Sequence, residues 1–361
     1  MNSGALSSSL SPLRLLLLGY GSVAQAFLPL LASRRDWLAH ELGVYPLVSG
    51  IGTRSRGFYI HPNGIPIDVL ALQSEPFQWF ANQAEHVDDA QSFIHAGKTV
   101  HASLLIELTA LQPQDGQPAL TYIRTAFEQG MDVVTANKGP IAYAQAELQA
   151  LAQYMGRQFR FESTVMDGLP LLNLAQFTLQ AVSTRAFHAL LNTTSSLVLS
   201  MVEQGHTVDE AIRKAQQLGI AEADPWYDLD GWDAVMKTTI LANNLLGGQL
   251  KPHMVKREGI RHLSQEAIRA AALEGAPIRL VSQARRMQGE IVAEVGPQRI
   301  GEDDILRIGK GTTGIISLET EAMGTISLVE HEPEVLQTAY GVLSDLITIQ
   351  QHKIPPHATH R

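Results

Sequence analysis

Residues 13–18 are almost continuously aliphatic, and the run stops at Gly19-Tyr20-Gly21-Ser22-Val23-Ala24 before a second apolar stretch over 26–31. An unbroken apolar run fits a strand buried on both faces, and a glycine-marked turn leading into more apolar residues fits a strand–turn–helix unit. Further apolar runs at 45–51, 104–108 and 131–135 alternate with helix-compatible stretches such as 120–129 and 142–155. Strands alternating with helices predict a doubly wound α/β, Rossmann-type domain over 12–150. The texture then changes. Residues 169–184, 207–218 and 232–246 read as helices, the last entered from a loop rich in acids and proline, whereas 291–295, 314–318 and 325–329 are short β-like runs set off by glycine. This pattern predicts an α+β domain over 151–334. A terminal helix over 338–349 is expected to pack back on the first domain, which 335–361 completes. Residues 1–11 hold five serines and no periodicity, and read as a disordered leader.

Composition narrows the possibilities. With 361 residues, 45% hydrophobic and 17% charged, the chain is ordinary globular protein, long enough for two or three domains. Lys plus Arg is 27 against 36 Asp plus Glu, a net charge of −9, which argues against a nucleic-acid partner. There is no cysteine, so disulfides, thiolate nucleophiles, zinc fingers and iron–sulfur ligation are excluded together. The apolar run at 15–18 is far shorter than the ~20 residues of a spanning helix, and it follows a serine-rich tail with almost no positive charge. A cytoplasmic chain without a membrane segment is expected. The 13 histidines are dispersed and form no H-E-x-x-H. Neither a G-x-S-x-G elbow nor a P-loop occurs, which argues against hydrolase and phosphoryl-transfer chemistry.

Gly19-x-Gly21-x-x-Ala24 after a buried strand has the form of a dinucleotide fingerprint. The first glycine permits the turn, the second admits a pyrophosphate to the backbone of Ser22 and Val23, and the small third residue lets helix and strand pack closely. Where the second strand ends, the chain reads Gly50-Ile51-Gly52-Thr53-Arg54-Ser55-Arg56, with two arginines and no acid. A guanidinium at Arg54 suits a 2′-phosphate, so NADP is favoured over NAD; the bland alternative is a pair of solvated loop charges.

Three later segments are informative together: Val133-Val134-Thr135-Ala136-Asn137-Lys138-Gly139-Pro140; Phe161-Glu162-Ser163-Thr164-Val165-Met166-Asp167-Gly168-Leu169-Pro170; and Gly219-Ile220-Ala221-Glu222-Ala223-Asp224-Pro225 followed by Asp228, Gly231, Asp233 and Lys237. In this order and spacing they resemble the homoserine dehydrogenase family, from the glycine turn to the terminal helix. The resemblance implies that Lys138 lies beside the nicotinamide and substrate, with Thr109 and Asn137 on the cofactor side. It implies Lys237 and Asp233 as catalytic residues, and Glu222, Asp228, Thr194 and Lys138 as substrate contacts. It also implies a monovalent cation such as Na+ near Glu162, Val165, Asp167 and Leu169, held largely by backbone carbonyls, and a homodimer through the central domain. The short end after Asp345 corresponds to a form without a fused aspartate kinase or C-terminal regulatory domain, so threonine feedback is expected to be absent. Two stretches depart from the family pattern. N-G-T-x-N-Y reads Asn192-Thr193-Thr194-Ser195-Ser196-Leu197, and a glycine-rich segment reads Glu330-His331-Glu332-Pro333-Glu334.

The residues support this chemistry on their own terms. If 232–246 is helical, Asp233 and Lys237 stand four apart on one face. A bland surface pair of this kind is worth roughly 0.3–0.5 kcal/mol. Glu222, Asp224 and Asp228 lie just upstream, however, and the cluster suits a zwitterionic amino acid. A lysine at such a place can take the proton of an alcohol during hydride transfer and return it in the reverse direction. Together with these residues, the resemblance implies the NAD(P)-dependent interconversion of L-homoserine and L-aspartate 4-semialdehyde, which in the family lies on the route to threonine and methionine. Two alternatives stay open: a related dehydrogenase for another small oxo or hydroxy acid, and a catalytically silent NADP(H)-binding sensor.

Overall fold

A computed structural model describes residues 10–221 and 223–353. The chain divides into two compact units, Met1–Gly168 with Val335–Arg361, and Leu169–Glu334.

The first unit is built on a seven-stranded sheet of order β4-β3-β2-β1-β5-β6-β7. Its strands are β1 (Ser11–Leu18), β2 (Val44–Thr53), β3 (Gly57–Pro66), β4 (Glu85–Val87), β5 (Leu104–Glu107), β6 (Asp132–Thr135) and β7 (Phe159–Arg160). β2, β1, β5, β6 and β7 run parallel, and β3 and β4 add an antiparallel edge. The leucine run of β1 explains the layering, because successive side chains point to opposite faces. Leu15 and Leu17 enter the core shared with helices Ser22–Ser33 and Val335–Gln351, while Leu16 and Leu18 enter the core on the other face. β1 sits between β2 and β5, the topological switch point at which α/β sheets bind ligands beyond their strand ends. The sequence turns tightly between β2 and β3 instead of crossing over, because Arg54-Ser55-Arg56 leads into Gly57 at φ +95°.

The second unit carries a six-stranded sheet of order β13-β12-β8-β10-β11-β9. These strands are β8 (Thr184–Leu190), β9 (Lys256–Arg257), β10 (Ile278–Met287), β11 (Glu290–Arg299), β12 (Gly314–Thr320) and β13 (Thr325–Glu330). All pairings are antiparallel except β9 with β11. Helices Thr193–Glu203, Trp232–Leu245 and Gln265–Leu273 pack against β10, the second also against β11. Arg279 on β10 is 1% exposed and pairs with Glu203 at the end of its helix, while its Nε donates to the Gly309 carbonyl at 2.9 Å.

Several expectations need correction. The leader was expected to run to residue 11, but Ser11 already pairs with Val44 in β1, and residues 1–9 lie outside the described residues. Residues 151–168 belong to the first unit, not the second. β7 extends the sheet beyond β6, the Asp345 carboxylate accepts from the Glu162 N–H at 2.8 Å, and the Ser163 hydroxyl donates to the Thr338 carbonyl at 2.8 Å. The helix expected over 169–184 shrinks to one α turn, Leu171–Asn173, and a π turn, Leu174–Thr178; the chain is already extended at Thr184, where β8 takes a central place between β12 and β10. The helical run ends in a turn at which Ala181 takes φ +60°, outside the helical region. The terminal helix runs Val335–Gln351, and 354–361 lie outside the described residues. Among the described residues, no helix is long and apolar enough to cross a membrane.

Candidate active site

In the first unit, Gly19 follows β1 with φ +100°, and a Cβ there would lie 2.3 Å from the Leu108 carbonyl oxygen. Only glycine fits this approach of the turn to the β5 strand end. Gly21 differs: its φ is −86°, and a Cβ would meet nothing within 4 Å. The helix Ser22–Ser33 has no side-chain cap on its N-terminal N–H groups. Gly21 and Ser22 are exposed, Val23 is half-buried and Ala24 fully buried, so the turn leaves an open, uncapped helix start of the kind that receives a pyrophosphate. Arg54 is exposed at the end of β2. The Arg56 guanidinium lies over Phe77, 5.3 Å from the ring centroid, and 5.9 Å from that of Tyr20. Burial pushes the Tyr20 hydroxyl pKa up to about 12, against the pull of Arg56.

The ends of β5 and β6 are tied by a buried carboxylate. Glu107 is fully buried; it accepts from the Thr109 N–H at 2.8 Å, from the Thr109 hydroxyl, and from the Thr135 hydroxyl at 2.7 Å. Burial raises its pKa above the ordinary glutamate value, and these hydrogen bonds oppose the rise. The Asn137 N–H donates to the Thr135 hydroxyl oxygen at 2.9 Å, its amide donates to the Thr109 carbonyl at 3.3 Å, and its Oδ1 accepts from the Gly139 N–H at 3.1 Å. Asn137 thereby caps helix Lys138–Tyr154, and half-buried Lys138 starts it. Thr109 and Asn137 are thus held by one network, with Lys138 on the helix that Asn137 caps, and its centre, Glu107, sequence reasoning missed. Its signal was a carboxylate closing the apolar run Leu104-Leu105-Ile106.

The second unit gathers the other group. Asn192 follows β8 and caps helix Thr193–Glu203, its Oδ1 accepting from the Ser195 N–H at 2.8 Å. Its amide donates to Asp228 Oδ1 at 2.9 Å and to Asp233 Oδ2 at 3.1 Å. The Thr194 hydroxyl donates to Asp228 Oδ2 at 2.8 Å. Lys237 donates to the Leu191 carbonyl at 2.7 Å and pairs with Asp233 at 3.3 Å, with side chains 15% and 10% exposed. A surface pair is therefore ruled out. Burial, and then the neighbouring Asp233 charge, raise the Asp228 pKa above the ordinary aspartate range. Thr193 takes the first helical position without a positive φ, so the departure from glycine there costs no backbone strain. Glu222 lies outside the described residues. Asn192 is the second residue that sequence reasoning passed over, although it stands beside Thr194 in a quoted segment.

Of the residues expected at a cation, Glu162 and Val165 are buried in the first unit, and Leu169 begins the second. Asp167 has φ +44°, a conformation aspartate tolerates better than most residues, and its Oδ1 accepts from the Thr338 hydroxyl at 2.7 Å. Gly168 and Gly341 are both required, since a Cβ at either would lie 2.2 Å from an atom of the packed partner segment.

Comparison with known proteins gives the family of the chain. The chain is 35% identical to the NAD(+)-dependent homoserine dehydrogenase of Pseudomonas canavaninivorans, over 94% of this chain and 96% of that protein. The chain belongs to the homoserine dehydrogenase family. The family's model, homoserine dehydrogenase, matches residues 170–347, which include Asn192, Asp228, Asp233 and Lys237. The homoserine dehydrogenase of Methanocaldococcus jannaschii is 31% identical over 93% of this chain and 98% of its own. Among solved structures, the homoserine dehydrogenase of Thiobacillus denitrificans superposes with a TM-score of 0.80 at 26% identity, covering 96% of this chain and 76% of that one.

Proposed function

We propose that the protein is a nicotinamide-dinucleotide-dependent homoserine dehydrogenase, interconverting L-homoserine and L-aspartate 4-semialdehyde. The observation that carries the reading is the Asn192–Asp228–Asp233–Lys237 cluster, with Asn192 and Asp233 buried and Asp228 and Lys237 half-buried, inside the segment matched by the family model. The bound dinucleotide supplies or accepts the hydride. Asp228, with Thr194 and Glu222, binds the substrate ammonium, because an ammonium carries only donors and is best met by carboxylate and hydroxyl oxygens. Lys237 is held between a carbonyl and a carboxylate, both acceptors. In the reducing direction its ammonium gives a proton to the aldehyde oxygen; in the oxidising direction the neutral amine takes the hydroxyl proton. Asp233 orients Lys237, and Lys138 sets a positive charge beside the nicotinamide.

Gly21, Ser22 and Val23 would meet the pyrophosphate, on a turn that Gly19 permits and the buried Ala24 packs against the strand, and Thr109 and Asn137 would line the nicotinamide side. Arg54 meets a 2′-phosphate, so NADP is the preferred cofactor. A monovalent cation such as sodium would be held near Glu162, Val165, Asp167 and Leu169, chiefly by carbonyl oxygens, as the family resemblance implies. The protein works in the cytoplasm as a homodimer through the second unit, where Met287 and Val292 are exposed apolar side chains. The test is reduced-nicotinamide absorbance with L-homoserine and either cofactor, with Lys237→Ala alongside. We expect turnover that the variant loses by about 10²–10⁴-fold while cofactor affinity is kept. Wild-type protein that binds the cofactor but does not oxidise homoserine refutes the reading.

A further inference from the structure

We propose that Asn192 is a positioning residue that couples the substrate-ammonium carboxylate to the proton-transfer pair: one side-chain amide spaces Asp228 from Asp233 while its carbonyl oxygen caps the helix that carries Thr194. This rests on the functional reading above, which gives Asp228 to the ammonium and Asp233 to Lys237. Two neighbouring carboxylates, one buried and one half-buried, resist ionising together, and a donor to both relieves that conflict. Asn192 has the chemistry for all three contacts at once, with two amide hydrogens for two carboxylates and an oxygen for the Ser195 N–H. Serine and aspartate also cap helices well but give the carboxylates at most one donor, or none. Among the described residues, the charged groups acting on Asp228 are Asp233 and Lys237, both from helix Trp232–Leu245; helix Thr193–Glu203, with its cap, contributes the uncharged Asn192 and Thr194. Asn192 and Thr194 favour the ionised carboxylate, whereas burial and Asp233 oppose it.

An ionised Asp228 attracts an ammonium, so kcat/KM for homoserine falls as pH drops through its titration. Taking away the Asn192 donors raises the titration, and the acid limb moves to higher pH. The experiment compares pH profiles of kcat and kcat/KM for wild type, Asn192→Ser and Asn192→Asp, with thermal melts. For Asn192→Ser we expect the acid limb to rise by about one to two pH units. The loss should fall mainly on KM for homoserine and recover toward wild type at alkaline pH. Asn192→Asp keeps the cap, adds a third negative charge and should shift further; it carries the same test if the serine variant does not fold. A residue that only caps the helix would lower the melting temperature or activity without moving the limb. Active wild type with superimposed acid limbs in the folded variants overturns this proposal alone. Wild type without homoserine turnover overturns the functional reading and this proposal with it.

Discussion

Adding one methyl group at Gly19 or at Gly21 should produce opposite kinds of damage, although the two positions are separated by a single residue. At Gly19 the new Cβ would stand 2.3 Å from the Leu108 oxygen, 2.4 Å from the Leu108 carbon and 2.8 Å from the Thr109 nitrogen, and the residue would also have to hold φ +100°. All three obstacles are backbone, so no side chain can swing aside. The positive φ costs roughly 1–2 kcal/mol and the overpacking roughly 1–3 kcal/mol more. A loss of about 2–5 kcal/mol is large against a total stability of about 5–15 kcal/mol. At Gly21, φ is −86° and the methyl group meets nothing within 4 Å, so Gly21→Ala should fold as well as wild type. In the proposed reading the pyrophosphate reaches the uncapped helix through that open space, so cofactor affinity should fall about tenfold, a cost of about 1.4 kcal/mol. Urea unfolding followed by circular dichroism, with titration of reduced cofactor by fluorescence, separates the two effects. The reasoning fails if Gly19→Ala keeps the wild-type urea midpoint, or if Gly21→Ala binds the dinucleotide as tightly as wild type.

The remaining predictions concern charge. Glu203→Ala strands the guanidinium of fully buried Arg279 and should destabilise the protein by about 3–5 kcal/mol, read from chemical denaturation. Burial raises the Glu107 pKa, so the native state holds that proton to higher pH than the unfolded chain, and stability contributed at this site falls as pH climbs from the ordinary value of 4.5 to the raised one. Glu107→Gln does not titrate, and its stability relative to wild type should therefore increase with pH across that window; a difference that is flat in pH counts against the assignment. Arg54→Ala should lower the ratio of kcat/KM for NADP to that for NAD by about tenfold while leaving NAD turnover largely intact, and an unchanged ratio would return Arg54 to the role of a solvated loop charge.

The local signals in this chain were strong where structure is made by neighbours in sequence. The leucines at 15–18, the glycine turn and the small Ala24 specify strand, turn and helix within a dozen residues, and the four-residue spacing of Asp233 and Lys237 puts them on one helical face because the helix repeats every 3.6 residues. The three family-like segments added the chemistry, since their order and spacing survive in the sequence itself. What periodicity could not show was which distant groups share a buried space. Asn192 meets carboxylates 36 and 41 residues further along, Thr135 meets Glu107 across 28, and Arg279 finds Glu203 across 76. β8 was likewise hidden, because its extended form comes from pairing with β10 and β12, nearly a hundred residues or more away. Burial turned an ordinary helical ion pair into a carboxylate–lysine cluster, and burial depends on everything that packs over a residue. Local sequence therefore determined the backbone frame and the reactive groups it carries, whereas long-range packing determined their partners, their dielectric surroundings and so their proton affinities.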